Sequence, residues 1–272
     1  MSLVYIFTFS KVETEQVARL MGATTAVKPG ARVGPVRLGA NDFVLFASDM
    51  GPKIARSLAN SVLNNTNPAH GATGADPRPD AVLIVGLCGG LTANLQQNTI
   101  VTYKECQSTD GNGTAYRCAP SLTERISRVV NSTGTSCESV VGITSPRIAT
   151  DKNLRLELAR SGAQTVDMES YEILAVAHKT GIPVAILRVV ADHLEMRLPD
   201  LNRAINEAGS LDQGRALRVA IGSPIRTARL VAANKRAMRH LGRALQVVLP
   251  SDCFLNLPLT EGEVSSKSAP QN

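Results

Sequence analysis

The chain has 272 residues, of which 43% are hydrophobic, with four Tyr, five Phe and no Trp. So many apolar residues can fill a large core, which excludes an intrinsically disordered protein. The 29 Lys and Arg exceed the 23 Asp and Glu, giving a formal net charge of +6, and no apolar run approaches the ~18 residues that a membrane-spanning helix needs.

The first part of the chain alternates apolar runs with helical patterns. In chain order, the patterns predict a strand at 3–9, a helix at 10–21, a hairpin at 31–38 and 42–47, a helix after residue 51, and an Asn-, Gly- and Pro-rich loop at 64–79.

The second part contains two buried strands. A nearly all-apolar run at 81–85 leads into the glycine-rich segment 86–90, which predicts a strand that meets a tight turn. A helix at 167–180, a strand at 182–191 and an amphipathic helix at about 225–248 follow. Strands that alternate with helices predict an α/β protein whose sheet is flanked by helices.

The chain reads as one domain over residues 1–250, followed by a disordered tail over 251–272 whose last part is polar and Ser-rich. The five cysteines form no C-x-x-C pair, the four histidines show no metal-ligand spacing, and the first ten residues lack the pattern of a signal peptide. We therefore expect no disulfide framework, no metal site and a cytoplasmic location.

Two glutamates lie on inward faces of predicted helices. Ser10 and Glu13 have the spacing of a capping box, in which Glu13 reaches back to the Ser10 backbone. Glu13 also shares a face with Val17 and Leu20, whereas Glu15 faces Arg19 as an exposed pair. An inward carboxylate at the end of the first strand can act as a base.

Glu169 shares a face with Ile173 and Val176, so this carboxylate also points inward and needs a partner or a ligand. Asp192 ends a buried strand, and ligands of open α/β sheets bind at the carboxyl ends of strands. Arg188, inside the same strand, is expected to be a structural ion-pair partner.

Two turns can approach a ligand. Residues 86–90 resemble a nucleotide-binding turn but lack the G-x-G-x-x-G fingerprint of dinucleotide enzymes, which disfavours a dinucleotide-dependent oxidoreductase. Residues 48–53 join a strand to a helix and can hold a ligand oxygen or an anion at the helix N-terminus. Asp49 argues against phosphate there, because its charge would repel an oxyanion.

Taken together, residues 3–249 resemble the nucleoside phosphorylase and nucleosidase superfamily that includes methylthioadenosine/S-adenosylhomocysteine nucleosidase. The resemblance rests on four segments, of which the most specific runs from Asp167-Met168-Glu169 to Asp192; residues 101–140 match poorly. Leu198-Pro199 and Ser223-Pro224 are similar to features of the hopanoid-associated phosphorylase-like branch, which is thought to remove adenine from adenosylhopane.

The resemblance implies a single-domain three-layer α/β/α fold with a mixed central sheet, no cofactor, a homo-oligomer (dimer or trimer) and a small nucleoside as substrate. It implies that Asp192 hydrogen-bonds or protonates the purine and that Glu13 activates water. The substrate-binding residues that it implies are Glu169 and Met168 at the ribose, Cys88, Gly89 and Gly90 at the purine, and Ser48 and Gly51 at the anion-binding turn.

Three departures from the family pattern favour water over phosphate as the nucleophile or put catalysis in question. The phosphate-binding Gly-Asp-x-x-x-Arg motif is missing, Asp49 replaces a small residue, and Ala191 replaces the Ser that orients the terminal Asp. We therefore expect a hydrolase that releases adenine from an adenosyl-type nucleoside. The alternatives are a phosphate-dependent phosphorylase and a nucleoside-binding protein without catalysis.

The excess positive charge belongs to the last helix. Six basic residues and no acidic ones lie between 225 and 249, and removing these six from the 29 leaves 23, equal to the 23 acidic residues. The helix has no aromatic residue for base stacking, which disfavours nucleic acid as a partner. A solvated face is the simplest interpretation; peripheral contact with an anionic bilayer is the alternative if the substrate is an adenosyl-lipid.

Overall fold

The computed structural model describes residues 1–23, 26–64, 77–110, 113–206, 211–257 and 264–266, which form a mixed sheet covered by helices. The strands are β1 (Ser2–Thr8), β2 (Arg32–Leu38), β3 (Asn41–Ala47), β4 (Ala81–Gly90), β5 (Ile100–Ser108), β6 (Thr114–Arg117), β7 (Cys137–Thr144), β8 (Thr165–Asp167), β9 (Val184–Asp192) and β10 (Val264–Ser266). The helices are α1 (Lys11–Leu20), α2 (Pro52–Leu63), α3 (Pro120–Asn131), α4 (Lys152–Ala159), α5 (Ser170–Thr180), α6 (Gln213–Gly222) and α7 (Pro224–Val248).

Four parallel strands form the centre of the sheet, in the order β3-β1-β4-β9. β2 extends it as the hairpin partner of β3. On the other side, β9 pairs with β5, β5 with β7, β7 with β8, and β8 returns to the end of β4. These pairings close a ring of strands, and the carboxyl ends of β1, β4 and β9 meet at one edge of it.

Helices cover both faces of the sheet. Buried side chains of α1, α3 and α7 pack on one face, and those of α2 and α5 pack on the other. This confirms the predicted three-layer α/β/α architecture with a mixed central sheet. Within the described part of the chain, none of the helices combines the length and the hydropathy of a membrane-spanning segment.

Residues 86–90 form part of a strand, so the prediction of a tight glycine turn was wrong. β4 continues through Gly90 and stays paired with β9, with Gly86 opposite Arg188 and Gly89 opposite Asp192. The glycines allow side chains from other parts of the structure to approach the strand closely. A Cβ on Gly86 would lie 2.4 Å from Glu13 Oε1, and one on Gly89 would lie 3.0 Å from Asp192 Oδ2.

The helix predicted at 167–180 begins three residues later than expected. Residues 165–167 form β8, which pairs with the end of β4, and the helix α5 starts at Ser170. The Asp167 carboxylate accepts hydrogen bonds from the backbone N–H groups of Glu169 and Ser170, at 3.1 and 3.0 Å. Glu169 therefore lies in the bend between strand and helix.

Part of the predicted tail belongs to the core. Residues 252–254 form a short 3-10 helix in which Phe254 is fully buried, and the Arg125 guanidinium donates a hydrogen bond to the Leu255 carbonyl. The predicted domain boundary at 250 therefore lies too early. β10 pairs with β6, whereas the remainder of the predicted disordered tail, and residues 65–76 of the predicted loop, lie outside the described residues.

Phe254→Ala is expected to lower the free energy of unfolding by about 3–5 kcal/mol, because it removes a fully buried ring. The Phe254 ring meets the Phe43 ring edge-on, with centroids 5.6 Å apart. Urea denaturation measures the loss. Asp252→Ala, an exposed change in the same turn, is the control and is expected to stay within about 0.5 kcal/mol; equal effects from both variants would contradict the burial of Phe254.

The predicted helix faces are mostly as expected. In α7 the solvated basic face is present, with these residues exposed: Arg229, Lys235, Arg236, Arg239 and Arg243. Val231 is also exposed, and the first buried residue of the helix is Ala233. In α1, Glu15 pairs with Lys11 rather than with Arg19.

Candidate active site

A cavity of about 320 Å³ lies at the edge where β1, β4 and β9 end. Three carboxylates that the sequence singled out line it: Glu13 from α1, Glu169 from the bend before α5 and Asp192 from the end of β9. Asp167 and Arg188 also reach its lining. The surrounding surface is mainly apolar, so charged groups here interact strongly with one another.

Glu13 is held by backbone donors from two elements. Its Oε1 accepts from Leu87 N–H at 2.7 Å, and its Oε2 accepts from Phe9 N–H at 3.1 Å. Ser10 caps α1 as predicted by accepting from the Glu13 N–H, but the Glu13 carboxylate bonds Phe9 and Leu87 instead of closing the capping box at Ser10. The side chain is 5% exposed and fixed in orientation.

Arg188 is the buried cation that pairs with the carboxylates, as expected of an ion-pair partner. Its guanidinium lies 3.3 Å from Asp167 Oδ2 and 3.6 Å from Glu169 Oε2, and it donates to the Leu87 carbonyl at 2.7 Å. Burial opposes its charge, yet Asp167 and the other acidic neighbours raise the pKa of Arg188. A buried charge needs such partners to be tolerated.

Glu169 is held by the start of α2. The Gly51 N–H donates to Glu169 Oε1 at 3.1 Å. Burial raises the pKa of Glu169 to about 8, although Arg188 opposes that shift; Asp167 and Glu13 add to it. Glu169 therefore carries its proton over much of the neutral range, and a protonated carboxyl can both donate and accept hydrogen bonds.

The raised pKa of Glu169 predicts a loss of stability with rising pH. The folded protein binds this proton more tightly than the unfolded chain, whose glutamate titrates near 4.5. The contribution is therefore fully present below pH 4.5 and is lost as pH rises toward about 8. We expect Glu169→Gln to flatten the fall of the melting temperature across this window.

Thermal melting at pH 5, 6, 7 and 8 provides the measurement for this prediction. The exposed Glu157→Gln in α4 is the matched control and should keep the slope of the unmodified protein. Burial also raises the pKa of Asp192, so Asp192 contributes to the loss of stability with rising pH as well. Some fall of the melting temperature with pH will therefore remain in Glu169→Gln. An unchanged slope in Glu169→Gln would contradict the prediction.

Asp192 is oriented by an arginine that sequence reasoning missed. Arg155 Nη2 forms an ion pair with Asp192 Oδ2, and Arg155 Nε donates to the Ala149 carbonyl at 3.0 Å. The Arg155 side chain is fully buried and that of Asp192 is 13% exposed. Burial raises the pKa of Asp192, and Arg155 partly offsets the shift. Arg155 thus supplies the orientation that Ala191 cannot.

Removing Arg155 should leave a largely buried carboxyl without its partner. We expect Arg155→Met to cost about 3–5 kcal/mol of unfolding free energy. Urea denaturation of Arg155→Met, Asp192→Asn and the double variant forms a double-mutant cycle. Arg160→Met, at the exposed end of the same helix, is the control. If the double variant loses the sum of the unfolding free energies lost by the two single variants, Arg155 and Asp192 do not interact.

The remaining predicted residues divide into two groups. Met168, Cys88 and Gly89 line the cavity, and burial raises the pKa of the Cys88 thiol, so that it stays neutral. Gly90, Ser48 and Gly51 do not line it. A Cβ on Gly90 would lie 3.1 Å from the Leu95 carbonyl oxygen. Ser48 N–H bonds the Thr8 carbonyl.

The anion-binding turn predicted at 48–53 is already used by the protein, because Gly51 N–H binds Glu169. Among the described residues, the cations that line the cavity are Arg147, which is exposed, and Arg188. Within the described ranges, no three His, Cys, Asp or Glu side chains are grouped to hold a metal ion.

Comparisons with known proteins concern the family and the fold. The family profile described as the phosphorylase superfamily matches residues 4–211. No curated protein sequence matches significantly.

Solved structures match over nearly the whole chain. The 5′-methylthioadenosine/S-adenosylhomocysteine nucleosidase from Neisseria meningitidis, in complex with methylthio-immucillin-A, is 16% identical, with 92% of this chain and 99% of that chain covered and a TM-score of 0.68. A mutant of the corresponding Helicobacter pylori enzyme, with 5′-methylthioadenosine in its active site, is 14% identical over 92% and 98% of the chains, with a TM-score of 0.68. A futalosine hydrolase mutant of Helicobacter pylori is 14% identical, with 92% of this chain and 99% of that chain covered and a TM-score of 0.67. At these identities the likeness concerns the fold.

Proposed function

Because the chain belongs to the phosphorylase superfamily, we propose that it is a purine nucleosidase that uses water to cleave the N-glycosidic bond of an adenosyl-type nucleoside and releases adenine. One observation carries the proposal: Glu13, Glu169 and Asp192 line a single, mainly apolar cavity. This cleavage needs a base for water, a group that holds the ribose and an acid for the leaving purine. Three carboxylates can fill these roles.

Asp192 is the proposed acid toward the purine. Arg155 binds its Oδ2, so Oδ1 is the oxygen that exchanges a proton with N7 of the purine as the glycosidic bond breaks. Its raised pKa favours a carboxyl that still carries a proton when the base departs. Gly89 and Cys88 line the same cavity, and the missing side chain of Gly89 leaves room for the Asp192 carboxylate, whose Oδ2 lies 3.0 Å from where a Cβ would be.

Glu169 is the proposed ribose ligand, with Met168 against the sugar. Its raised pKa lets it donate one hydrogen bond and accept others from the ribose hydroxyls. Glu13 is the proposed base: its orientation is fixed by two backbone donors, and each carboxylate oxygen retains a lone pair for water. The base withdraws a proton from water as the oxocarbenium-like sugar forms.

Water is favoured over phosphate because the groups that would bind phosphate are engaged. Gly51 N–H, at the start of α2, donates to Glu169, and the charge of Arg188 is balanced by Asp167, with the Glu169 carboxyl beside it. The alternative, a phosphate-dependent phosphorylase, is supported by Arg147, an exposed cation at the cavity.

An apolar group at the ribose 5′ carbon fits the rest of the cavity. Leu198, Leu201, Leu211 and Leu230 line it and present apolar surface to such a group. We therefore propose substrates such as methylthioadenosine or an adenosyl-lipid of the adenosylhopane type. A homo-oligomer in the cytoplasm is part of the same proposal, to be checked by light scattering and by fractionation.

The test is incubation with methylthioadenosine, S-adenosylhomocysteine, adenosine and an adenosyl-lipid, with and without phosphate, following adenine and the sugar product. We expect adenine release without phosphate and a sugar with a free anomeric hydroxyl. Ribose 1-phosphate formed only with phosphate would identify a phosphorylase. Binding of adenosine without release of adenine from any compound would identify a nucleoside-binding protein instead.

A further inference from the structure

The segment 214–232, called the basic arm below, comprises α6 and the first part of α7 and makes little contact with the core. None of its residues is buried. It carries four of the seven large hydrophobic side chains that are exposed among the described residues: Leu217, Ile221, Ile225 and Val231, at 59–72% exposure. Several large exposed apolar side chains in one short segment are typical of a surface that contacts a partner.

The same surface is strongly basic. The arm contains Arg215, Arg218, Arg226 and Arg229, and no Asp or Glu lies between residues 213 and 248. These four arginines form no ion pair with a carboxylate of the described chain, and exposed basic residues continue along α7. A groove of about 850 Å³ beside the arm is lined by Arg197, Arg226, Arg229 and Arg236, together with Glu195, whose carboxylate pairs with Lys152.

The arm lies at the candidate active site. Leu230 and Asn234 of α7 line the cavity with the three carboxylates, as does Leu211 before α6. Arg229 and Val231, the neighbours of Leu230 along the chain, are exposed. A partner that covers the arm would therefore lie beside this cavity.

We propose that the basic arm docks on an anionic lipid bilayer, with its apolar side chains in the interface and its arginines against the headgroup phosphates. A helix that combines bulky apolar side chains with arginines and lacks acidic ones has the composition of an interfacial helix, and anionic headgroups complement each of its charges. A second copy seated arm on arm would bring like charges together without an acidic partner. Nucleic acid would leave the apolar side chains uncovered and finds no aromatic residue in the arm for stacking.

Co-sedimentation of the full chain with vesicles tests the proposal. We expect binding to phosphatidylcholine–phosphatidylserine vesicles at least about tenfold stronger than to pure phosphatidylcholine, weakening with salt. Arg226→Glu/Arg229→Glu should reduce it at least about tenfold, and Leu217→Ser/Ile221→Ser/Ile225→Ser should do so with the charges intact.

Matched controls are Arg128→Glu/Arg160→Glu and Leu156→Ser, exposed changes away from the arm, which should bind vesicles normally; thermal melting verifies that each variant folds. Equal binding to neutral vesicles, or binding unaffected by both arm variants, would overturn the proposal. So would displacement by inorganic phosphate beyond that by chloride at equal ionic strength, which would indicate a site for free anions. If the protein does not bind vesicles and the arm variants halve the particle mass measured by light scattering, the arm contacts a second copy of the chain instead.

Discussion

Asp192→Asn is expected to lower kcat for adenine release by roughly 10²–10⁴-fold while KM changes little. Asparagine has nearly the same shape, and its carbonyl can still accept from Arg155, but it cannot give a proton to the purine. The loss should therefore fall on the step in which the glycosidic bond breaks. Steady-state kinetics with methylthioadenosine and with the best substrate found give kcat and KM separately.

Asp200→Asn is the control for this prediction, since Asp200 is exposed and pairs with Arg203 outside the cavity. It should leave kcat unchanged. Nucleoside binding by Asp192→Asn, measured by calorimetry, separates loss of chemistry from loss of the site. Retained turnover in a folded Asp192→Asn variant would remove Asp192 from the acid role and leave it as a hydrogen-bond partner of the purine.

Glu13→Gln is expected to lower kcat by a similar factor, roughly 10²–10⁴-fold, because a neutral amide cannot take a proton from water. The variant also has a structural cost. Both Glu13 oxygens accept from backbone N–H groups, so the glutamine NH₂ must face one of these donors. We expect about 1–3 kcal/mol lower stability, measured by urea denaturation.

Glu15→Gln is the matched control, because it makes the same chemical change two residues away on the exposed side of α1. It should retain both activity and stability. The activity of Glu13→Gln is measured against pH at temperatures below its own melting transition. This separates the loss of catalysis from the loss of stability. If its activity equals that of the unmodified protein once it is folded, Glu13 only positions the strand end and water is activated elsewhere.

Local sequence patterns predicted much of the fold. The apolar runs at 81–85 and 182–191 mark β4 and β9, and Ser10 marks the start of α1, because these signals act between neighbours in the chain. The wrong predictions concern residues whose conformation depends on contacts with distant parts of the chain. The glycines at 86–90 indicated a turn, but the space beside Gly86 and Gly89 is filled by Glu13 and Asp192, and the backbone remains a strand.

The candidate site shows the same division. Helical spacing placed Glu13 on the inward face of α1, and the end of a buried strand singled out Asp192. The same spacing singled out Glu169, which is buried but lies in the bend before α5. Arg155 escaped notice, although it lies three residues from Leu158 on the buried face of α4, because an arginine in a short polar helix is usually exposed. Asp167 was noticed only as part of a motif, and its bond to Arg188 was not foreseen.

The sequence by itself determined the α/β class, most of the main helices and strands around the site, and which carboxylates face inward, because periodicity and capping depend on residues within a few positions of one another. Only the tertiary structure decided that Gly51 binds Glu169, that Arg155 holds Asp192 and that the basic arm stands clear of the core. Each of these depends on residues brought together from distant parts of the chain or on where helix packing stops. These features follow from the distances between residues at the sheet edge and from how deeply those residues are buried. A local sequence pattern contains neither quantity.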